Sequence, residues 1–217
     1  MAEERMDKDT REDRGEWHQE GHEGQHGHKH AHGDGVIGNN PEESDILLET
    51  KGLKKYFQTG RGQLHAVDDV NLQIRKGTTM GVVGESGCGK STLGRTLIHL
   101  LESTDGQIFF KGNDITHVDK RELAKLRHKM QIIFQDPNSS IDPRMTIEST
   151  IREPMKLSKR YSKAEMNERV DELMNLVGVD QRMRRAYPHE LDGGRRQRVG
   201  IARALAISPE FIVCDEP

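Results

Sequence analysis

The sequence lacks the long apolar runs and the cysteine patterns that mark membrane-spanning and disulfide-stabilised proteins. No stretch of its 217 residues approaches the roughly 18 consecutive apolar residues that a membrane span needs, and the first residues, MAEERMDKDTRED, lack the apolar core of a secretory signal. The two cysteines, Cys88 and Cys214, lie far apart without metal-ligand spacing. We therefore expect a cytoplasmic protein with reduced thiols and with neither a disulfide framework nor a zinc site.

Charge divides the chain into an acidic tail and a basic body. Residues 1–45 contain 13 acidic and 5 basic residues, whereas the rest of the chain contains 23 acidic and 28 basic residues. The tail is rich in Gly and Glu and has no apolar periodicity, so it would bury too little surface to offset the entropy of ordering. We expect residues 1–45 to be disordered and residues 46–217 to form one folded domain.

Six histidines lie close together in the tail, within HQEGHEGQHGHKHAH. They are His18, His22, His26, His28, His30 and His32. Neutral imidazoles bind nickel, copper or zinc, and a flexible chain can wrap several of them around one ion. The tail is therefore a candidate transition-metal site. The alternative is a solvated low-complexity segment whose histidines have no specific role.

A glycine-rich loop in the body matches the P-loop pattern at every fixed position. Its residues are Gly84, Glu85, Ser86, Gly87, Cys88, Gly89, Lys90 and Ser91. The run TMGVVG before the loop predicts a strand and LGRTLIHLL after it predicts a helix, which is the order that a phosphate cradle needs. We expect Lys90 to reach the β- and γ-phosphates, Ser91 to bind Mg²⁺, and Thr92 to place a second hydroxyl near the α- or β-phosphate.

The last apolar run, FIVC, is followed by Asp215 and Glu216, and it predicts a buried strand that carries two carboxylates to the same site. A P-loop site needs an acidic residue at the end of a neighbouring strand to hold Mg²⁺ through its waters, and Asp215 fits that role. Glu216 is placed to orient or deprotonate the attacking water. The pair therefore predicts hydrolysis of the nucleotide.

Between these motifs lies a segment that resembles the signature of the ATP-binding cassette (ABC) family, L-S-G-G-Q. It consists of Leu191, Asp192, Gly193, Gly194 and Arg195. The resemblance covers the chain from about Ile46 to Pro217. It implies that Tyr56 of LKKYF stacks on adenine, and that Gln135 of QIIFQDP bridges Mg²⁺ and the membrane-facing surface. ATP and Mg²⁺ are the implied cofactors.

The implied fold is an α/β P-loop NTPase of the ABC type, with an N-terminal antiparallel β part and an inserted helical subdomain at about residues 136–190. Apolar residues at helical spacing in TIESTIREPMKL and SKAEMNERVDELMNLVGV agree with such a subdomain. GESGCGKSTLGRTL, MQIIFQDPNSSIDPRMTI and REPM are similar to the dipeptide, oligopeptide and nickel importer ATPases. The resemblance thus implies the ATP-hydrolysing motor subunit of an importer for peptides, with nickel as the alternative cargo. ATP-driven closure of its dimer would energise a membrane permease.

The implied partners are a second ABC ATPase subunit, permease subunits in the membrane and, indirectly, an extracytoplasmic solute-binding protein. They would place the chain at the cytoplasmic face of the cell membrane as a peripheral protein. No nucleic-acid partner is expected, because the basic cluster RRQR lies within the signature helix. Two alternatives stay open: a soluble ABC ATPase outside transport, and a truncated, catalytically incomplete cassette whose histidine tail binds metal.

The signature departs from the family pattern at Asp192 and Arg195, where the family has serine and glutamine. A carboxylate near the γ-phosphate of a partner's ATP would repel it unless it is compensated, which predicts a weakened composite site. Aspartate is also among the best N-cap residues, so we favour a tolerated variant in which Asp192 caps the helix beginning near Gly194.

The resemblance also implies segments that do not follow Pro217, among them a dimer-contact loop, another strand and a switch histidine. We therefore expect the sequence to be the N-terminal part of a longer ATPase, either a partial sequence or a truncated product. Hydrolysis by this stretch alone is expected to be impaired.

Overall fold

The computed structural model describes residues 45–60, 62–136 and 140–216. The predicted disordered tail falls almost wholly outside these ranges. Its six histidines, which lie between positions 18 and 32, fall outside them as well. Their proposed metal binding therefore stays a prediction.

Among the described residues, four antiparallel strands form the larger of two sheets. They are β1 (Ile46–Thr59), β2 (Gly62–Arg75), β3 (Asp105–Phe110) and β4 (Asn113–Asp114), in the spatial order β2-β1-β3-β4. Leu48 of β1 lies opposite Ile74 on one side and Phe110 on the other. Leu48 and Ile108 are fully buried, so one face of the sheet packs on the core. The N-terminal antiparallel part of the fold is thus confirmed.

Two parallel strands form the second sheet, β5 (Met130–Ile133) and β6 (Phe211–Cys214). Met130 pairs with Phe211, and Ile133 pairs with Cys214. The carboxyl ends of parallel strands meet at one edge of a sheet, and this edge is where ligands bind in α/β folds. Residues that directly follow β5 and β6 are therefore brought together.

Two helices, α1 (Lys90–Leu97) and α2 (Lys120–Lys129), pack against the strands described above. Leu93 and Leu97, one turn apart on α1, are buried in the same apolar cluster as the strands. The helix predicted from LGRTLIHLL ends at Leu97, and His99 just beyond it has a left-handed backbone with φ 57°. The packing of the leucines fixes which face of α1 is turned towards the core.

The second apolar cluster is helical. It contains α3 (Ile147–Ser158), α4 (Lys163–Leu176) and α5 (Gly193–Leu205). Two short 3₁₀ turns, Gln181–Arg185 and Pro188–Glu190, lie between α4 and α5. Ser162 and Glu165 form a reciprocal capping box, which marks the start of α4. α5 shares the cluster with α3 and α4, and the bounds 136–190 for a separate subdomain stay a prediction. In the described part of the chain, no helix has the length and apolar character of a membrane span.

The strand predicted from TMGVVG is not formed. Residues 78–85 carry no strand, and Val82 and Val83 are 52% and 96% exposed. A buried parallel strand needs hydrogen-bonding neighbours and apolar cover on both faces. Among the described strands none pairs with this segment, so the apolar pattern alone does not hold it in a sheet. The prediction of a strand here is wrong for this structure, although the turn at Lys76 and Gly77 before it is present.

Candidate nucleotide-binding site

The glycine loop enters α1 through Gly89, the N-cap residue, which has φ 97°. A Cβ at this position would lie 2.0 Å from the carbonyl oxygen of Ala66 on β2, so a side chain is excluded by contact as well as by conformation. The close approach packs the loop against the β1–β2 hairpin. It also directs the N-terminal N–H groups of α1 towards the space that the loop encloses.

The ammonium of Lys90 is folded back over the loop. Its Nζ donates to the carbonyl oxygens of Gly84 at 2.9 Å and Glu85 at 2.7 Å, and it lies 3.9 Å from the Sγ of Cys88. These contacts hold one positive charge at the mouth of the loop. Phosphate oxygens placed there would be stronger acceptors than the two neutral carbonyls.

Asp215 lies behind the loop and is hydrogen-bonded to α1. Ser91 Oγ donates to its Oδ1 at 2.6 Å, and Arg95 Nη2 lies 3.1 Å from its Oδ2. The Asp215 side chain is only 5% exposed. Its backbone N–H donates to the carbonyl oxygen of Ile133 at 2.9 Å. This bond continues the hydrogen-bond ladder between β5 and β6 by one residue and so fixes the position of the Asp215 side chain. Ser91 and Asp215 were predicted to share the metal site, and the structure brings them together.

Gln135 and Glu216 meet where β5 and β6 end. Gln135 Nε2 donates to Glu216 Oε2. Glu216 has a left-handed backbone with φ 48°, which turns the chain immediately after the strand. The two residues predicted to act on the metal and on the attacking water are therefore direct partners.

These elements surround a cavity of about 360 Å³. Its walls are residues 86–92 of the loop and α1, together with Gln135, Glu216 and residues 57 and 64–66 of the β1–β2 hairpin. The volume lies at the lower end of the range for small-molecule sites. One wall is cationic and rich in N–H donors, and the opposite wall carries an amide and a carboxylate.

The structure does not bring Tyr56 into this cavity. Its ring stacks on His65 at a centroid distance of 3.8 Å, and its hydroxyl donates to Asp68. That hydrogen bond is the main cause that raises the pKa of Tyr56 to about 12. Phe57, the next residue of β1, lines the cavity instead. Sequence reasoning missed Phe57, although the neighbouring aromatic in LKKYF was the available signal.

The signature residues stand apart from the cavity, and none of residues 191–195 lines it. Asp192 is the N-cap of α5, and its Oδ1 accepts from the backbone N–H of Arg195 at 2.7 Å. Its Oδ2 lies 3.4 Å from Arg195 Nε, and both side chains are more than half exposed. Asp192 thus caps the helix as its residue type predicts, and its carboxylate has a cation beside it.

The glycine loop with its lysine, and the acidic strand end hydrogen-bonded to the following serine, define a P-loop nucleotide-binding protein. The model of the family described as "ABC transporter" matches residues 67–217. The chain therefore belongs to the ABC transporter family, and the predicted ABC-type fold is confirmed.

Curated relatives carry the names of peptide transporters. The chain is 50% identical over 176 residues to the oligopeptide transport ATP-binding protein OppF of Bacillus subtilis, a match that covers 80% of this chain and 58% of that protein. It is 48% identical over 181 residues to AppF of the same organism, covering 80% and 55% of the two chains. A putative peptide import ATP-binding protein of Brucella ovis is 44% identical, covering 79% and 54%. The chain spans a little over half the length of these relatives.

Solved structures show the same fold. The dimeric cassette MJ0796 in a post-hydrolysis state, bound to ADP and Pi, has a TM-score of 0.72 and 30% identity, covering 77% of this chain and 73% of that one. CbiO1 of Clostridium perfringens, part of the cbiONQ transporter complex, has a TM-score of 0.68 and 26% identity, covering 80% and 66%.

Proposed function

We propose that this chain is the ATP-binding and ATP-hydrolysing part of an ABC importer for peptides. The observation that carries the proposal is the convergence of Lys90, Ser91, Gln135 and Glu216 on one cavity, with Asp215 hydrogen-bonded behind Ser91. The names of the relatives described above support peptides as cargo. The structural neighbour that holds ADP and Pi supports an adenine nucleotide as the ligand of the cavity.

The phosphates of ATP would lie over residues 86–91, where backbone N–H groups and the positive end of α1 point. Lys90 would exchange its two carbonyl contacts for phosphate oxygens. Phe57 at the hairpin wall offers an apolar ring for the adenine base, and Thr92 offers a further hydroxyl at the start of α1.

The oxygen donors of the site fit Mg²⁺. Ser91, Gln135 and Asp215 would supply a hydroxyl, an amide carbonyl and a carboxylate, which are ligands that this hard cation prefers. Within the described ranges no cluster of three His, Cys, Asp or Glu side chains could hold a metal, and Mg²⁺ in nucleotide sites takes few protein ligands besides phosphates and water. When bound, the ion would neutralise negative charge on the phosphates.

Glu216 is proposed as the general base that orients the attacking water and accepts its proton. The amide of Gln135 holds one of its carboxylate oxygens and leaves the other to accept a hydrogen bond from that water. Because Gln135 follows β5 and Glu216 follows β6, any displacement of the two strand ends would alter this contact. Hydrolysis is thereby linked to the geometry of the sheet edge.

The signature residues would act on the nucleotide of a second ABC ATPase subunit, since they lie outside this chain's own cavity. Closure of such a dimer would drive the permease. A groove of about 950 Å³ offers the permease a docking surface, with Leu100 and Leu157 exposed in its wall beside Arg127 and Arg203. This assembly would place the chain at the cytoplasmic face of the membrane, with the solute-binding protein on the opposite side.

Nucleotide binding is tested by titrating ATP with Mg²⁺ into the purified protein and into the Lys90→Ala variant. The control is Lys125→Ala, which removes an exposed lysine paired with Glu122 on α2. We expect binding to the wild type and to the control, and loss of binding in Lys90→Ala. Equal affinity in all three proteins would refute the assignment.

Transport is tested by deleting the gene and measuring the uptake of labelled oligopeptide and of labelled nickel. A defect confined to nickel uptake would overturn the peptide proposal.

A further inference from the structure

Arg95 holds the oxygen of Asp215 that Ser91 leaves free. Ser91 and Arg95 are four residues apart, so they lie one above the other on the same face of α1. Ser91 Oγ contacts Oδ1 of the carboxylate and Arg95 Nη2 contacts Oδ2. Both oxygens of one carboxylate are thus occupied from a single helical turn. Arg95 lies outside the P-loop pattern, which ends at Ser91.

Burial is unequal across this ion pair. The Asp215 side chain is 5% exposed and the Arg95 side chain is 44% exposed. In the part of the chain that the structure describes, Arg95 is the one cation within ion-pair distance of Asp215. A guanidinium so exposed to water is screened and adds little to the free energy of unfolding. Its larger effect is geometric, because it restricts the rotation of a carboxylate that would otherwise have a single hydrogen-bonded oxygen.

We infer that Arg95 is a positioning residue, which keeps Oδ1 of Asp215 aimed at the Ser91 hydroxyl and so prepares both groups for the metal of a bound nucleotide. The inference rests on the proposed function, since the preparation has value only if Mg²⁺ binds there with ATP. Partners that orient metal-binding side chains in this way commonly change metal affinity by about 10- to 100-fold when they are removed.

Removal of Arg95 has two opposing effects on Mg²⁺. Loss of a positive charge near the site would strengthen binding of the cation, whereas loss of the orientation of Asp215 would weaken it. The charge effect is small because the exposed guanidinium is screened by water and salt. The loss of orientation therefore outweighs the loss of charge, and we expect Mg²⁺ to bind more weakly when Arg95 is removed.

The experiment measures how strongly Mg²⁺ enhances binding of the slowly hydrolysed analogue ATPγS. Affinity is determined by calorimetry with Mg²⁺ and with EDTA, and the ratio of the two is the enhancement. We expect Arg95→Gln to reduce the enhancement roughly tenfold while the affinity in EDTA is unchanged. Arg95→Lys, which keeps a cation at the position, should recover part of it. Arg121→Gln, at an exposed arginine on α2, is the matched control and should match the wild type.

A double-mutant cycle separates positioning from a general effect on the fold. In an Asp215→Asn background, Arg95→Gln should produce no further loss, because the carboxylate it acts through is gone. Additive losses would overturn the inference, as would an unchanged or a larger enhancement in Arg95→Gln alone. If the wild type shows ATPγS binding without any Mg²⁺ enhancement, the metal site and this inference both fail. If the wild type shows the enhancement and Arg95→Gln retains it, only the inference fails.

Discussion

Gln135 and Glu216 are hydrogen-bonded partners although 81 positions separate them in the chain. The contact exists because β5 and β6 are parallel neighbours that end at the same edge. The contact joins Gln135, which is expected to bind Mg²⁺, to Glu216, which is expected to activate the attacking water. The chemistry of the site therefore depends on the alignment of two strands.

Replacing Glu216 with Gln should leave ATP binding intact and slow hydrolysis by about 100-fold or more, because an amide cannot accept the proton of the attacking water. Single-turnover phosphate release measures the effect. Glu172→Gln, which changes an exposed glutamate paired with Arg169, is the control. Undiminished hydrolysis in Glu216→Gln would count against its role as the base.

Replacing Phe57 with Ala should weaken ATP binding by about 1–3 kcal/mol, the usual contribution of an aromatic ring stacked on a base. Tyr56→Phe keeps the ring that stacks on His65 and removes only the hydroxyl that donates to Asp68, so it should leave the affinity unchanged. A fluorescent ATP analogue can report both affinities. A loss of affinity in Tyr56→Ala with normal binding in Phe57→Ala would support the prediction that Tyr56 stacks on adenine.

Asp192→Ala should lower the free energy of unfolding by about 1 kcal/mol, because α5 would lose the side chain that caps it. Asp192→Ser retains a cap and should unfold like the wild type in urea.

The same serine variant tests whether the Asp192 carboxylate weakens the composite ATP site. A rise in cooperative ATP hydrolysis with its partner subunit would show that the carboxylate weakens the composite site, and an unchanged rate would show that Arg195 compensates it.

Glu148 should make part of the stability depend on pH. Arg184 Nε donates to its carboxylate at 2.8 Å, and this contact, more than the nearby Arg152, holds the pKa of Glu148 below its ordinary value of 4.5. Because the folded pKa is depressed, the contribution is present above that ordinary value and is lost as the pH falls through the folded pKa. Glu148→Gln should cost about 2 kcal/mol near neutral pH and progressively less in acid.

Urea unfolding of the wild type and Glu148→Gln over a range of pH measures this difference. Glu172→Gln again serves as the control, because Glu172 is itself exposed, and its ion pair with Arg169 should contribute little at any pH. A stability difference between wild type and Glu148→Gln that stays constant into acid would contradict the assignment.

The glycine loop and the acidic strand end were predictable because each is a local pattern with a fixed chemical purpose. Their meeting across 124 positions, from Ser91 to Asp215, followed from what a P-loop requires. The cap role of Asp192 was equally local, since it depends on one side chain and the backbone three residues later. The family resemblance, carried by these short motifs, proved correct.

Contacts that depend on the face of an element were harder to predict. Tyr56 and Phe57 are neighbours in the sequence, and only the register of β1 against β2 decides which ring meets the cavity. Arg95 carries no motif, and its role appears only when α1 lies against β6. The TMGVVG segment shows the converse: its apolar pattern predicts a strand, but a strand also needs partners that the pattern does not specify.

Ser91 and Arg95 make Asp215 sensitive to the axial setting of α1. Each residue of a helix advances about 100° around its axis, so a single-residue insertion between Lys90 and Ser91 would turn both side chains away from the carboxylate together. A small twist of the helix would lengthen both contacts at once. Rotation of α1 would therefore change both contacts to Asp215, which couples the orientation of this helix to the carboxylate at the end of β6.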